Sequence, residues 1–148
     1  MPSLRGVAGG RTLRVLWISR HEPLRAQLRA LEEKLGEYEL VQHSEPLGTA
    51  EDAIKLAREH RADFIVPVLP MTFIMHLVSE AKKYGFTVLR AEMQNLHNCS
   101  QQPCPEYNDE TDTIMVSRDL NTGETIYRHF RFEKFVVLKE IKLVTEPW

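Results

Sequence analysis

The chain changes from apolar to polar side chains within one short stretch, Leu13-Arg-Val-Leu-Trp-Ile-Ser-Arg-His21. Its apolar part is brief and rich in β-branched and aromatic residues, which is typical of a strand buried on both faces of a parallel sheet. Ser19, Arg20 and His21 follow the end of that strand, where open α/β sheets bind ligands. A hydroxyl, a fixed cation and an imidazole that titrates near neutral pH suit a ligand that carries phosphate.

The composition is that of an ordinary globular chain. Its 148 residues fit one domain, and a formal net charge of −2 gives no basic signature for duplex nucleic acid. No apolar run approaches the roughly 18 residues that a membrane span needs. Residues 1–12 contain three glycines and lack the apolar core of a signal peptide. We therefore expect a flexible N-terminus, no membrane association and a cytoplasmic protein.

Strand and helix patterns alternate from residue 13 to residue 92. Further strands are predicted to begin at Tyr38, Phe64 and Thr87, the first of them shorter, more polar and at an edge, and amphipathic helices lie between them. Thr49 and Thr72 are placed to cap the second and third helices. This alternation predicts the α/β class, a Rossmann-like three-layer sheet of about four parallel strands.

The pattern changes after the fourth strand. Residues 96–112 are polar and predict a loop, whereas residues 113–148 predict an antiparallel β-hairpin appendage around the turn-rich Asp119-Leu-Asn-Thr-Gly123. We therefore expect a single Rossmann-like domain over residues 13–148, with its core in residues 13–95.

Because the carboxyl ends of parallel strands meet at one edge, the polar residues after the four strands are expected to form one site. The ligand-binding candidates beyond Ser19, Arg20 and His21 are His43, Ser44, Pro70, Met71, Thr72, Glu92, Gln94 and Asn95. The helix that opens near Thr72 would add backbone N–H groups that favour an anion. A structural role stays open, since loops after strands are generally polar and Ser or Thr there often caps a helix.

Single residues of this set also have two interpretations. Arg20 can clamp a phosphate with two hydrogen bonds, or it can be a solvated surface charge. His21 can act as a general acid or base, or it can pair with a neighbouring carboxylate. Glu92 can be a base or a ribose partner, or it can neutralise Arg20.

A second group has the residue types of a zinc site. His97-x-Cys99-x4-Cys104 invites that interpretation, with His43 or His129 as the fourth ligand. The spacing is loose and no second Cys-x2-Cys pair occurs, so we favour a mobile loop with two free cysteines and expect no metal and no cofactor. The alternating aromatic and charged residues from His129 to Phe135 are assigned to a half-buried hairpin rather than to base stacking.

Trp17-Ile-Ser-Arg-His21 resembles the opening of a small CRISPR-associated family that carries S-R-H or T-R-H at this place. In that family a Leu-Pro pair ends a middle strand and leads into a helix, as Leu69-Pro70 does here. The family is grouped with the ring nucleases of type III CRISPR systems, whose fold is similar to the Rossmann-like CARF domain. The resemblance covers residues 13–95. The helix between Thr49 and His60 lengthens the spacing of the two motifs here.

The resemblance implies binding and cleavage of a cyclic oligoadenylate, an antiviral second messenger, at the two-fold axis of a homodimer. Such cleavage needs no metal when a ribose 2′-OH attacks its own 3′-phosphate. Arg20 would then stabilise charge on the phosphorane, His21 would transfer the proton and Ser19 would position the phosphate. The same resemblance assigns adenine or ribose contacts to Glu92, Gln94 and Asn95.

Two other classes of function stay open from the sequence. One is a binding module that senses or sequesters a nucleotide messenger at the same residues without cleaving it. The other is a structural or interaction protein whose C-terminal hairpin adds a strand to a partner or to a second copy of the chain.

Overall fold

The structure, a computed structural model, describes residues 7–8, 11–99 and 104–148. Its helices are α1 (Arg25–Leu35), α2 (Ala50–Glu59) and α3 (Met71–Tyr84). Its strands are β1 (Val7–Ala8), β2 (Arg11–Ile18), β3 (Tyr38–His43), β4 (Phe64–Pro67), β5 (Thr87–Cys99), β6 (Asp112–Arg118) and β7 (Thr125–Val137). The predicted flexible N-terminus, residues 1–12, lies for the most part outside the described residues.

The apolar run of β2 forms the centre of a hydrophobic core. β2 pairs in parallel with both β3 and β4, and its residues 15–18 are buried as the sequence predicts. The inner faces of α2 and α3 pack in one cluster with buried residues of β2, β4 and the start of β5. Its largest fully buried members are Leu16, Ile65 and Leu77. Burying such side chains stabilises a fold by about 1.5–3 kcal/mol each.

Local capping signals are confirmed for one helix and wrong for another. The Thr49 hydroxyl accepts a hydrogen bond from the Asp52 N–H (3.1 Å), so Thr49 caps α2 as predicted. Gly85 ends α3 in the left-handed conformation, with φ of 75°, which a residue without Cβ adopts at little cost. Thr72 is not an N-cap, because α3 begins at Met71 and Pro70 occupies the cap position without a side-chain hydrogen bond.

The predicted Rossmann-like, mostly parallel sheet is wrong. The sheet is mixed, with strand order β1-β2-β4-β5-β7-β6 and β3 paired to β2. β1 runs antiparallel to β2, and β6 runs antiparallel to β7. β7 neighbours β5 in the strand order, so the C-terminal strands extend the sheet and are not an appendage. The sequence misleads here because β5 continues eight residues beyond Ala91, and those residues are mostly polar and only half-buried or exposed, as the residues of a loop are.

The chain divides into two compact units. The first comprises Met1–Glu22, Lys34–Arg90 and Val136–Trp148, and the second comprises Pro23–Glu33 and Ala91–Phe135. Most of α1 belongs to the second unit, where the Ala26 N–H donates to the Glu110 carbonyl (3.0 Å). The hydrophobic core described above lies entirely in the first unit.

The C-terminal third departs from the prediction in its boundaries. Residues 96–99, predicted as loop, belong to β5, and residues 100–103 lie outside the described part of the chain. β7 is one continuous strand to Val137, after which the backbone has no regular secondary structure. In this last segment Leu138 and Ile141 pack against the core of the first unit. No helix among the described residues is long and apolar enough to cross a membrane.

Candidate functional site

Three parallel strands of the first unit end together. Ile18 is in register with His43 on one side and with Pro67 on the other. Just beyond them, the Ser19 N–H donates to the His43 carbonyl (3.2 Å), and the Val68 N–H donates to the Ile18 carbonyl (2.8 Å). The chain therefore leaves β2, β3 and β4 at one edge, as the sequence predicts for these strands.

The turn after β2 is held by hydrogen bonds to its backbone and to Ser19. The buried Ser19 hydroxyl oxygen accepts from the His21 N–H (3.1 Å), and the Ser19 carbonyl accepts from the Gln42 amide (3.1 Å). The Trp17 indole N–H donates to the His21 carbonyl (3.0 Å). These contacts fix the backbone that carries Arg20. Ser19 is thus a positioning residue of the turn.

Arg20 and His21 project from this turn into solvent. Both side chains are exposed, and neither forms a hydrogen bond or an ion pair with another described residue. Neighbouring His43 is half-buried, and its Nε2 is buried without a hydrogen-bond partner among the described residues. Buried polar atoms are normally paired, so an unpaired one is characteristic of a site that takes a ligand or a water.

The start of α3 offers backbone donors in the same unit. Phe73 and Ile74 donate to the Pro70 carbonyl (2.9 and 3.2 Å), so the N–H groups of Met71 and Thr72 precede the first hydrogen bonds of the helix. The side chains of Met71 and Thr72 are exposed, as are Pro70 and Ser44. The free N–H groups of a first turn favour an anion.

The structure does not place three of the predicted residues at a strand end. Glu92, Gln94 and Asn95 lie inside β5, because this strand continues to Cys99. They belong to the second unit, whereas the other candidates belong to the first. The candidate anion site therefore consists of residues from the ends of β2, β3 and β4 and from the first turn of α3.

A separate cluster in the second unit combines two imidazoles and two thiols. One ligand atom each from His97, Cys99, Cys104 and His129 lies within 4.8 Å of the others. Cys104 Sγ is 3.7 Å from His97 Nε2 and 3.7 Å from His129 Nδ1, and these two nitrogens are 3.1 Å apart. Cys99 Sγ lies 3.8 Å from His97 Nδ1. The structure brings in His129, one of the two fourth ligands that the sequence left open, and not His43.

Burial and neighbours distinguish the members of this cluster. His129 and Cys104 are buried, whereas His97 and Cys99 are half-buried. The pKa of the Cys99 thiol is raised to about 11, mainly by a hydrogen bond with Cys104 and to a smaller extent by burial. The exposed Glu106 carboxylate lies 3.1 Å from His97 Nε2. The four residues His97, Cys99, Cys104 and His129 could hold a metal ion.

A buried carboxylate orients His129 from behind. Asp112 is fully buried, and its Oδ2 accepts from His129 Nε2 (2.7 Å). Arg131 donates to both carboxylate oxygens, from Nε at 2.7 Å and from the guanidinium NH2 at 2.9 Å. Thr111 and the Asn108 N–H donate two more hydrogen bonds. These donors hold the pKa of Asp112 well below its usual range, and Arg131 has the largest effect. Asp112 is therefore a carboxylate.

Sequence reasoning missed Asp112 and Arg131. Arg131 is in register with Asp112 across the β6–β7 pair, and His129 lies two residues before Arg131 on the same face of β7. The alternation from His129 to Phe135 was the available signal. This alternation reveals the ion pair only when the register of β6 and β7 is known, because the register places Asp112 opposite Arg131.

Comparisons of the chain with protein-family models, with curated proteins and with solved structures found no match.

Proposed function

We propose that the first unit binds a phosphate-bearing nucleotide at the candidate anion site, with cyclic oligoadenylate as the substrate. The observation that carries the proposal is the pair of exposed side chains of Arg20 and His21, neither of which has a partner in the described residues. A guanidinium without a carboxylate beside it is available to a phosphate. The choice of ligand comes from the resemblance of Trp17-Ile-Ser-Arg-His21 to the ring nucleases.

The proposed reaction is an internal transesterification. The ribose 2′-OH forms a bond to the adjacent phosphorus while the bond from phosphorus to the 5′-oxygen breaks, which leaves a 2′,3′-cyclic phosphate and a 5′-hydroxyl. Arg20 stabilises the added negative charge on the phosphorane, together with the first-turn N–H groups of α3. His21 transfers a proton between the attacking and leaving oxygens and solvent. Ser19 contributes by holding the turn that presents both residues.

A homodimer belongs to the proposal for a reason of symmetry. A cyclic oligoadenylate with an even number of nucleotides has a two-fold axis, and a C2 dimer would present Arg20 and His21 twice to such a ring. The ligand would then contact equivalent residues of both copies.

The test is incubation of the full chain with cyclic tetra- and hexa-adenylate, with products resolved by chromatography. No metal is added, and no chelator is used. We expect linear products with 2′,3′-cyclic phosphate ends, and a loss of rate of roughly 100- to 10,000-fold in His21→Ala. Arg20→Ala should lose activity together with affinity. Arg118→Ala, which removes an exposed arginine of the second unit, is the matched control and should behave as the wild type.

The other outcomes discriminate among the functions that the sequence left open. Binding detected by calorimetry without any cleavage would replace the nuclease with a sensor or a sequestering protein. Absence of both binding and cleavage would discard the nucleotide proposal. Loss of oligomerisation after deletion of the β6–β7 hairpin, in a protein that binds no nucleotide, would favour the interaction protein.

A further inference from the structure

We propose that His97, Cys99, Cys104 and His129 bind a zinc ion as a closed four-ligand site in the second unit. This departs from the pair of free cysteines that the sequence favours. The proposal is independent of the nucleotide site, because all four residues belong to the second unit and none belongs to the candidate anion site.

The spacing of three ligand atoms fits one face of a zinc tetrahedron. Zinc bonds of about 2.3 Å to sulfur and about 2.05 Å to nitrogen imply edges of about 3.6 Å between sulfur and nitrogen and about 3.3 Å between two nitrogens. The corresponding distances among Cys104 Sγ, His97 Nε2 and His129 Nδ1 are 3.7, 3.7 and 3.1 Å. Cys99 Sγ, within 4.8 Å of the other ligand atoms, supplies the fourth vertex. Cys99 Sγ lies 3.8 Å from the other ring nitrogen of His97, Nδ1, so its side chain must move to complete the tetrahedron.

The hydrogen bond from His129 to Asp112 orients the other ring nitrogen, Nδ1, toward the cluster. The contact of His129 Nε2 with Asp112 Oδ2 (2.7 Å) is a hydrogen bond in which the imidazole N–H donates, so in the neutral imidazole Nδ1 is the nitrogen without a proton, and it lies 3.7 Å from Cys104 Sγ. Zinc-binding histidines commonly donate their other N–H to a carboxylate, which fixes the tautomer and the ring orientation. Arg131 in turn fixes the carboxylate.

The donor set selects the metal and the kind of site. Two thiolates and two imidazoles in tetrahedral array are typical of zinc, and four protein ligands leave no position for substrate. The site is therefore structural. The contact between Glu106 and His97 Nε2 would be given up on metal binding, at little cost because the Glu106 side chain is 72% exposed.

The second unit also lacks the apolar core that would make a metal superfluous. Of the buried hydrophobic residues, only Leu31, Cys104 and Phe132 lie among the described residues of this unit. Small units with few buried apolar side chains depend on disulfides or metals for stability. A zinc ion would join β5, which carries His97 and Cys99, to Cys104 and to β7, which carries His129.

The experiment measures metal content and coordination of the full chain, purified under reducing conditions. We expect one zinc per chain by elemental analysis. Replacement by Co²⁺ should give the intense visible absorption of a tetrahedral site and the near-ultraviolet thiolate charge-transfer bands. Cys99→Ser, at a half-buried position that should still fold, is expected to lose the zinc and the charge-transfer intensity. Glu106→Gln is the matched control and should keep both.

Asp112→Asn tests the positioning role of the carboxylate. It should weaken zinc binding roughly 10- to 100-fold and leave the tetrahedral Co²⁺ spectrum in place at saturating metal. An unchanged affinity would overturn that role.

Three results would overturn the zinc site. The first is a folded wild type that takes up neither Zn²⁺ nor Co²⁺, which would leave a hydrogen-bonded cluster without metal. The second is a Cys99–Cys104 disulfide in the protein as isolated from the cytoplasm of the expression host under non-reducing conditions. The third is a Cys99→Ser variant that keeps full zinc affinity and the wild-type spectrum.

Discussion

Asp112 has a dense set of polar contacts in the second unit. It is fully buried and accepts hydrogen bonds from Arg131, His129, Thr111 and the Asn108 N–H. If the donors are removed, the buried carboxylate is left as an uncompensated charge. If the carboxylate is removed, the charged donor Arg131 is left without its partner. This one residue therefore links the fold of the hairpin to the orientation of His129.

Asp112→Ala should lower the free energy of unfolding by about 3 kcal/mol, the lower end of the usual range for breaking a buried ion pair. The lower end applies because the Arg131 side chain is 40% exposed and can be solvated after the change. Urea denaturation in zinc-containing buffer measures it. A loss no larger than that of Glu110→Gln, which alters a surface carboxylate, would contradict the assignment.

Glu110 provides a pH-dependent contribution of known sign. Arg29, at 2.8 Å, and then Arg25, at 3.5 Å, lower its pKa from the ordinary value of 4.5. A depressed carboxyl pKa stabilises the folded state above the unfolded value, and this contribution is lost as the pH falls through the folded value. The stability difference between wild type and Glu110→Gln should therefore be present at pH 7, decrease as the pH falls below 4.5 and through the lowered pKa, and shrink at high salt, since the pair is exposed. A difference that stays the same as the pH falls below 4.5, however far, would refute this cause.

At the scale of elements, α2 and α3 differ in how their N-termini are capped. α2 has a side-chain cap at Thr49, whereas α3 starts after Pro70 without one. Both starts carry a threonine close to the boundary, which is why the sequence predicts two caps. The backbone position decides, since an N-cap side chain must precede the first helical residue by one.

Thr49→Ala should cost about 1 kcal/mol of stability, because the Asp52 N–H loses its acceptor. Thr72→Ala, inside the first turn of α3, should change stability by less than half of that. Thermal unfolding compares the two variants, and Thr49→Ser should restore the wild-type value. Equal losses in both alanine variants would mean that the cap of α2 contributes nothing.

At the scale of the whole molecule, the two units rely on different interactions. The first is stabilised by the apolar cluster of β2, β4, α2 and α3, and the second by hydrogen bonds, ion pairs and the proposed zinc site. Regions with separate sources of stability open separately in hydrogen exchange.

A chelator should therefore accelerate amide exchange in β6 and in the Thr125–Arg131 part of β7, and leave β2 and β4 close to their original rates. Hydrogen exchange followed by mass spectrometry of the full chain measures this. Cys99→Ser, already without the ion, should show no further effect of chelator. Equal acceleration in both units, or none in either, would contradict a structural zinc confined to the second unit.

The limits of sequence-based prediction can be located by element. The strands β2, β3 and β4 and all three helices were predicted close to their observed bounds, because their signals are apolar spacing and capping within a few residues. β5 was cut short at its polar positions, and the mixed sheet was missed with it. The parallel arrangement of β2 and β3 is enough to predict that Ser19 and His43 lie at the same edge of the sheet. Glu92, Gln94 and Asn95 are predicted at a strand end but lie inside β5, because this strand continues to Cys99.

The sequence by itself determined the apolar strand before Ser19, the amphipathic helices and the presence of two histidines and two cysteines with zinc-binding chemistry. Only the tertiary structure decided that β7 neighbours β5, that His129 joins residues 25 and 32 positions earlier, and that Asp112 faces Arg131. The physical reason is the distance along the chain over which each kind of interaction acts. Hydrogen bonds of caps and the periodicity of a helix face act within one or two turns of chain, whereas strand register and the convergence of ligands depend on pairing between segments that no local pattern relates.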